Sequence, residues 1–148
     1  MAEMRQGGDP HGYCFEDLKV GMAAEYAREV TRAGIGAFAE LSGDVNPLHL
    51  DDDFARATMF KGCIAHGILV ASYISTVIGT KLPGSGCIYV TQELKFRAPV
   101  RPGDRVTARV TVAELIPEKR RVRLETICAV GERVVIDGEA LVIVPSRA

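Results

Sequence analysis

The stretch His66-Gly-Ile-Leu-Val-Ala-Ser-Tyr-Ile-Ser-Thr-Val-Ile-Gly-Thr-Lys81 decides the fold. Ile68, Leu69, Ser72, Tyr73, Ser75, Thr76 and Ile78 make it apolar or small almost all round, the pattern of a helix buried inside a domain. Pro83 and Gly84 stop it. A membrane span is excluded, because Ser72, Ser75 and Thr76 interrupt the apolar run and it falls short of the roughly 20 residues a bilayer needs. Downstream, four alternating runs near Cys87–Phe96, Asp104–Leu115, Arg121–Val130 and Val134–Val144 are each bounded by Pro, Gly or charged residues. They predict an antiparallel meander. In the third run Val122, Leu124, Thr126 and Cys128 share one face, and Arg121, Arg123 and Glu125 the other, so one sheet face is expected to be wet. Upstream, Ala23–Val30 alternates as a strand. Thr31 then caps a helix Arg32–Leu41 whose Ile35, Phe38, Ala39 and Leu41 share a face, and Gly43 ends it. The sum is an α+β domain in which an antiparallel β-sheet wraps one long central helix.

The chain has 148 residues, 47% apolar and 25% charged, which fits one domain with a core of its own. Residues 1–12 show no apolar periodicity and read as a flexible tail, leaving 13–148 as the domain. Eighteen Lys and Arg balance nineteen Asp and Glu, so no global field marks nucleic acid or an anionic membrane as a partner. Cys14, Cys63, Cys87 and Cys128 stand apart with no CxxC pair, and Met1–Pro10 has no apolar signal-peptide core; the expected location is the reducing cytoplasm.

Chemistry concentrates between the first helix and the central one, in Asp44-Val-Asn-Pro-Leu-His49. Pro47 removes a donor and biases Asn46 away from helical dihedrals, which predicts a shaped loop and no regular element. Asp51, Asp52 and Asp53 suit the start of a short helix through about Ala57. Asp and His titrate near 3.9 and 6.5 when unperturbed, so Asp44 and His49 together could activate one water. On spacing alone a turn aspartate and a hydrogen-bonded histidine fit as well. Asp44, His49 and His66 could imitate a metal site, but no HExxH or Cys/His spacing supports one, and no metal is expected.

The run Phe38-Ala-Glu-Leu-Ser-Gly-Asp44-Val-Asn46-Pro47-Leu-His49, followed by Phe54-Ala55, resembles the signature of the R-specific enoyl-CoA hydratases, the MaoC-like dehydratase branch of hot-dog proteins. Ala65-His66-Gly67-Ile-Leu-Val-Ala-Ser72 and Phe96-Arg-Ala-Pro99-Val-Arg-Pro102-Gly103-Asp104 are similar to that family's central-helix opening and later strand-turn-strand. The likeness spans about residues 15–145. It implies a lyase that reversibly hydrates a trans-2-enoyl-CoA to the (R)-3-hydroxyacyl-CoA, with no dissociable cofactor, since coenzyme A is part of the substrate. Asp44 and His49 would hold the water and Asn46 would orient the site. The Gly67 backbone N–H, at a helix start, is the candidate donor to the thioester oxygen, with simple packing space as the alternative. By its offset Ser75 falls where some members place a serine near the pair, and His66 could touch the site or merely cap and pack. Lys61, Arg97 and Arg101, with Lys95 next along the strand, are candidates for the coenzyme A phosphates. A 3-hydroxyacyl-ACP dehydratase would use the same pair, and a non-catalytic acyl-thioester binding module or a thioesterase would keep the fold. Relatives pair through the sheet, which implies a homodimer or dimer of dimers with each site near the interface.

Overall fold

Strand β1 (Ala23–Glu29) runs into Thr31, whose Oγ1 accepts the Gly34 amide at 2.9 Å and so starts helix α1 (Arg32–Ser42). Gly43 ends α1 at φ 79°, a left-handed turn that glycine adopts without strain, and its amide returns to the Ala39 carbonyl. In this computed structural model residues 12–147 are described. The expected tail lies outside the described residues except for Gly12, whose amide donates to the Ser85 carbonyl at 2.6 Å. Ile35 and Ala39 are buried under α1 and Phe38 is half-buried, but Leu41 is 88% exposed. At 3.6 residues per turn Leu41 lies some 200° round from Ala39, on the outer face, so it does not join the expected stripe.

Two short helices follow, α2 (Pro47–Leu50) and α3 (Asp52–Arg56), and then the long helix α4 (Gly67–Thr80). The remaining strands are β2 (Ile88–Phe96), β3 (Arg105–Ile116), β4 (Arg121–Val130) and β5 (Arg133–Ile143). All pairings are antiparallel, in the order β1-β3-β4-β5-β2. Only β3, β4 and β5 form the expected meander. β2 pairs with β5 at the far edge, and residues 97–104 carry the chain across to β3. That connection is too long for a tight hairpin, whereas residues 131–132 between β4 and β5 suit one.

Helix α4 packs on β1, β3 and β4. Val70, Tyr73, Ile74, Val77 and Ile78 meet Val106, Ala108, Val110 and Val112 of β3 and Val122, Leu124 and Cys128 of β4, nearly all excluded from solvent. Removing one such side chain, as in Leu124→Ala, should cost about 2–5 kcal/mol. The helix is not buried all round, however: Ile68 is 58% exposed, and Ser72 and Ser75 are exposed. The sheet covers one side of α4, and among the described residues the other side stays open. Among the described residues no helix is long and apolar enough to cross a membrane.

Candidate active site

Pro47 does not break the chain where a loop was expected; it opens a helical turn. At the first position of α2 its missing N–H is one that no intrahelical carbonyl would have bound, and Asn46 caps the turn by accepting the Leu48 amide on Oδ1 at 3.0 Å. This turn fixes His49. The half-buried imidazole donates Nδ1–H to the Ile64 carbonyl at 2.8 Å, which leaves the Nε2 lone pair free. Asp44 follows the left-handed Gly43. Its amide donates to Ser42 Oγ at 3.1 Å, and its exposed carboxylate accepts the Asn46 amide at 3.3 Å. Behind the pair, Asp52 of α3 is held below the usual carboxylate range by a hydrogen bond from Cys63 and by the Arg32 guanidinium 3.2 Å away; burial, then that same carboxylate, pushes the Cys63 thiol up. That contact ties α1 and α3 to the segment leading into α4.

His66 completes the cluster. Only 2% exposed, it donates Nε2–H to the Asp44 carbonyl at 3.0 Å and stacks on His49 with ring centroids 3.9 Å apart and planes 30° apart. The Phe38 ring meets its edge at 4.8 Å. A carboxylate oxygen of Asp44 and one ring nitrogen each of His49 and His66 lie within 4.8 Å of one another. The arrangement suits acid–base work better than a metal. Imidazole lone pairs lie in the ring planes, and two stacked rings point theirs alongside each other instead of converging on one ion at about 2.0–2.1 Å. A backbone carbonyl bonded to the other nitrogen of each ring fixes its orientation.

Helix α4 begins beside this pair without a side-chain cap, so its first-turn amides find no partner within the helix. Gly67, its first residue, lines a cavity of about 360 Å³ together with His49. The walls are otherwise largely apolar: Met59, Phe60, Ile64, Val70, Phe96 and Ile136. The Phe96 ring lies so close to Gly67 that a Cβ there would sit 2.5 Å from Cε1.

The structure therefore gathers Asp44, His49, His66 and Gly67, with Asn46 capping the turn that carries His49. Ser75 stands on the exposed side of α4, about 12 Å along the axis from Gly67, and does not line the cavity. Arg97 does line it and is paired with Asp137 at 3.1 Å. Arg101 donates to the Phe60 carbonyl, exposed Lys61 sits in an adjoining turn at φ 60°, and Lys95 pairs with Glu93 at 3.8 Å. The cavity walls were not found from sequence. They come from five separate stretches of chain, and no local pattern links them.

A sheet of this order curled on one helix, with an Asp/His pair at the helix start, defines a hot-dog protein. The MaoC like domain matches residues 17–138, and the chain belongs to that family. It is 55% identical over 133 residues to the (R)-specific enoyl-CoA hydratase of Rhodospirillum rubrum, covering 90% of this chain and 92% of the relative. It is 53% identical to the 3-hydroxybutyryl-CoA dehydratase of Methylorubrum extorquens, over 90% of this chain and 85% of that protein. Among solved structures, the (R)-hydratase from A. caviae involved in PHA biosynthesis superposes with a TM-score of 0.85 at 44% identity, covering 88% of this chain and 99% of its own.

Proposed function

We propose that this protein is an (R)-specific enoyl-CoA hydratase, adding water reversibly across the trans-2 double bond of an enoyl-CoA. The observation that carries this reading is the Asp44 carboxylate close to His49, whose imidazole, free at Nε2, lines an apolar cavity together with Gly67 at an uncapped helix start. Water held between the two groups gives one proton to the pair as its oxygen bonds the β-carbon. The π electrons move toward the thioester oxygen, whose developing charge meets the Gly67 amide. The pair then returns a proton to the α-carbon, so one water is consumed and both groups are regenerated. Positioned proton transfer of this kind is worth about 10²–10⁴-fold. No dissociable cofactor enters these steps.

The apolar cavity takes the acyl chain; Arg97, which lines it, and Lys61 and Arg101, which follow its wall residues Phe60 and Val100 in the chain, are the proposed contacts of the coenzyme A phosphates. Asn46 acts through the His49 turn, and Ser75 becomes relevant where a second copy covers the open side of α4. Such a copy is favoured by the unpaired β2 edge and by exposed Ile88 and Val90 upon it, which supports a homodimer. Four free cysteines accord with work in the cytoplasm.

The test is incubation with crotonyl-CoA and chiral resolution of the product. The R product is expected; the S product, or none, would overturn the reading. Asp44→Asn and His49→Ala should each lower kcat by at least about 10²-fold, Asp44→Asn with the melting temperature nearly unchanged and His49→Ala with a loss of about 1–3 kcal/mol for the bond to Ile64, and full activity in either removes the pair from the mechanism.

A further inference from the structure

We infer that His66 is a positioning residue for the Asp44/His49 pair and keeps the start of α4 open for a ligand; the second half of this inference rests on the function proposed above. Three observations meet at this side chain. Its Nε2–H holds the Asp44 carbonyl at 3.0 Å, its ring face supports the His49 ring at 3.9 Å, and its Nδ1 is buried without any hydrogen-bond partner. A buried polar atom left unpaired is costly and calls for a reason.

The reason lies in where His66 stands. It occupies the N-cap position of α4, where a side-chain acceptor ordinarily takes the amide of the second or third helical residue. Nδ1 is such an acceptor once Nε2 carries the proton, yet no capping bond forms. The bond to Asp44 and the stack on His49 hold the ring away from the helix end. One constraint thus sets two features of the site: it spaces the carboxylate-bearing residue against the imidazole, and it leaves the start of α4 without a side-chain cap beside the cavity that Gly67 lines. The two stacked histidines are consequently held in opposite tautomers, His49 protonated on Nδ1 and His66 on Nε2, because each donates to a backbone carbonyl through a different nitrogen.

Two substitutions separate positioning from packing. Gln reproduces a donor near the Nε2 position, so His66→Gln keeps the bond to Asp44 and loses the stack. Asn is a strong N-cap, so His66→Asn should take the free amide, hold or raise the melting temperature, and lower kcat on crotonyl-CoA by about 10²-fold with KM changed less than threefold. His66→Gln is expected to retain more activity than His66→Asn. Wild-type kcat in His66→Asn, or parallel loss of stability and activity in both variants, overturns the assignment. A second measurement needs neither variant nor substrate: nitrogen-15 correlation spectra of the wild-type imidazoles report the tautomers directly. Opposite tautomers at His49 and His66 are expected, and matching ones refute the geometry even if the protein hydrates no enoyl-CoA.

Discussion

Gly67→Ala separates two reasons for a glycine at the start of α4. A methyl group there would lie 2.5 Å from Cε1 and 2.7 Å from Cδ1 of Phe96, against an ordinary contact of 3.4–4 Å. The ring must therefore retreat by about 1 Å. Phe96 is the last residue of β2 and 55% exposed, so it has room to swing. Overpacking typically costs about 1–3 kcal/mol, and replacing a helical glycine with alanine returns up to about 1 kcal/mol. With the full return, the net loss of stability should be about 0–2 kcal/mol, at most roughly 4–8 °C in melting temperature at this chain length. Activity should suffer more. The amide survives, but the methyl and the displaced ring occupy the space through which a thioester oxygen would reach it. Losing one such donor costs about 2.7–4 kcal/mol of transition-state stabilisation, a fall of about 10²–10³ in kcat.

The assay is steady-state hydration of crotonyl-CoA beside a thermal melt, for Gly67→Ala, Phe96→Ala and the double variant. If glycine serves only to seat the ring, removing the ring should restore the double variant to the activity of Phe96→Ala alone. If glycine serves ligand approach, the double variant should stay about 10²-fold below Phe96→Ala although its melting temperature recovers. Wild-type kcat/KM in Gly67→Ala would refute the reasoning at its root.

Two further outcomes follow from other parts of the fold. Asn46→Ala removes the acceptor of the Leu48 amide and should lower stability by about 1 kcal/mol, with kcat falling by up to about 10²-fold because the capped turn carries His49; Asn46→Asp, which keeps the acceptor, should recover most of both in the same melt and assay. Burial pushes the Cys128 thiol up from 9.0 to about 12, so the folded state favours its neutral form; that contribution is complete below the ordinary thiol range and is lost as pH rises toward 12. Urea unfolding between pH 7 and pH 11 should show stability declining above about pH 9, and Cys128→Ala, less stable at neutral pH, should show a shallower decline. An unchanged slope would place the alkaline loss elsewhere.

Periodicity sufficed for most of the fold. Strand β4 alternates so regularly that Val122, Leu124, Thr126 and Cys128 all reach zero exposure on one face, as their spacing requires. It could not place β2, because alternation says which face of a strand is buried but not which neighbour it pairs with. β2 lies at the far edge from β3, beside β5, and buries none of its residues fully. Nor could it show that one side of α4 is open, since Ile68 is as apolar as Ile74 and the two differ only in what the sheet covers. At the site, residue types and the Asp44–His49 spacing were visible, and the resemblance carried by that loop named them. The helical turn at Pro47 was missed because a proline reads as a breaker until its place at the first helical position is known.

The part that stayed hidden concerns His66, and the cause is physical. A histidine before a glycine at a helix start has two ordinary explanations, capping and packing, and neither depends on residues distant in sequence. What the fold adds is a contact from 22 residues upstream through the Asp44 carbonyl and a stacked ring from α2, and together they take the side chain out of the capping position. The same two contacts leave a buried nitrogen without a partner and the helix start without a side-chain cap, a local cost that stability alone gives no reason to keep. Unsatisfied donors beside an apolar cavity are what a ligand with a polar oxygen and an apolar tail can use. They serve most where charge develops on that oxygen, so kcat should depend on His66 far more than KM does, although His66 reaches the site through Asp44, His49 and Phe38 and not through the reacting atoms.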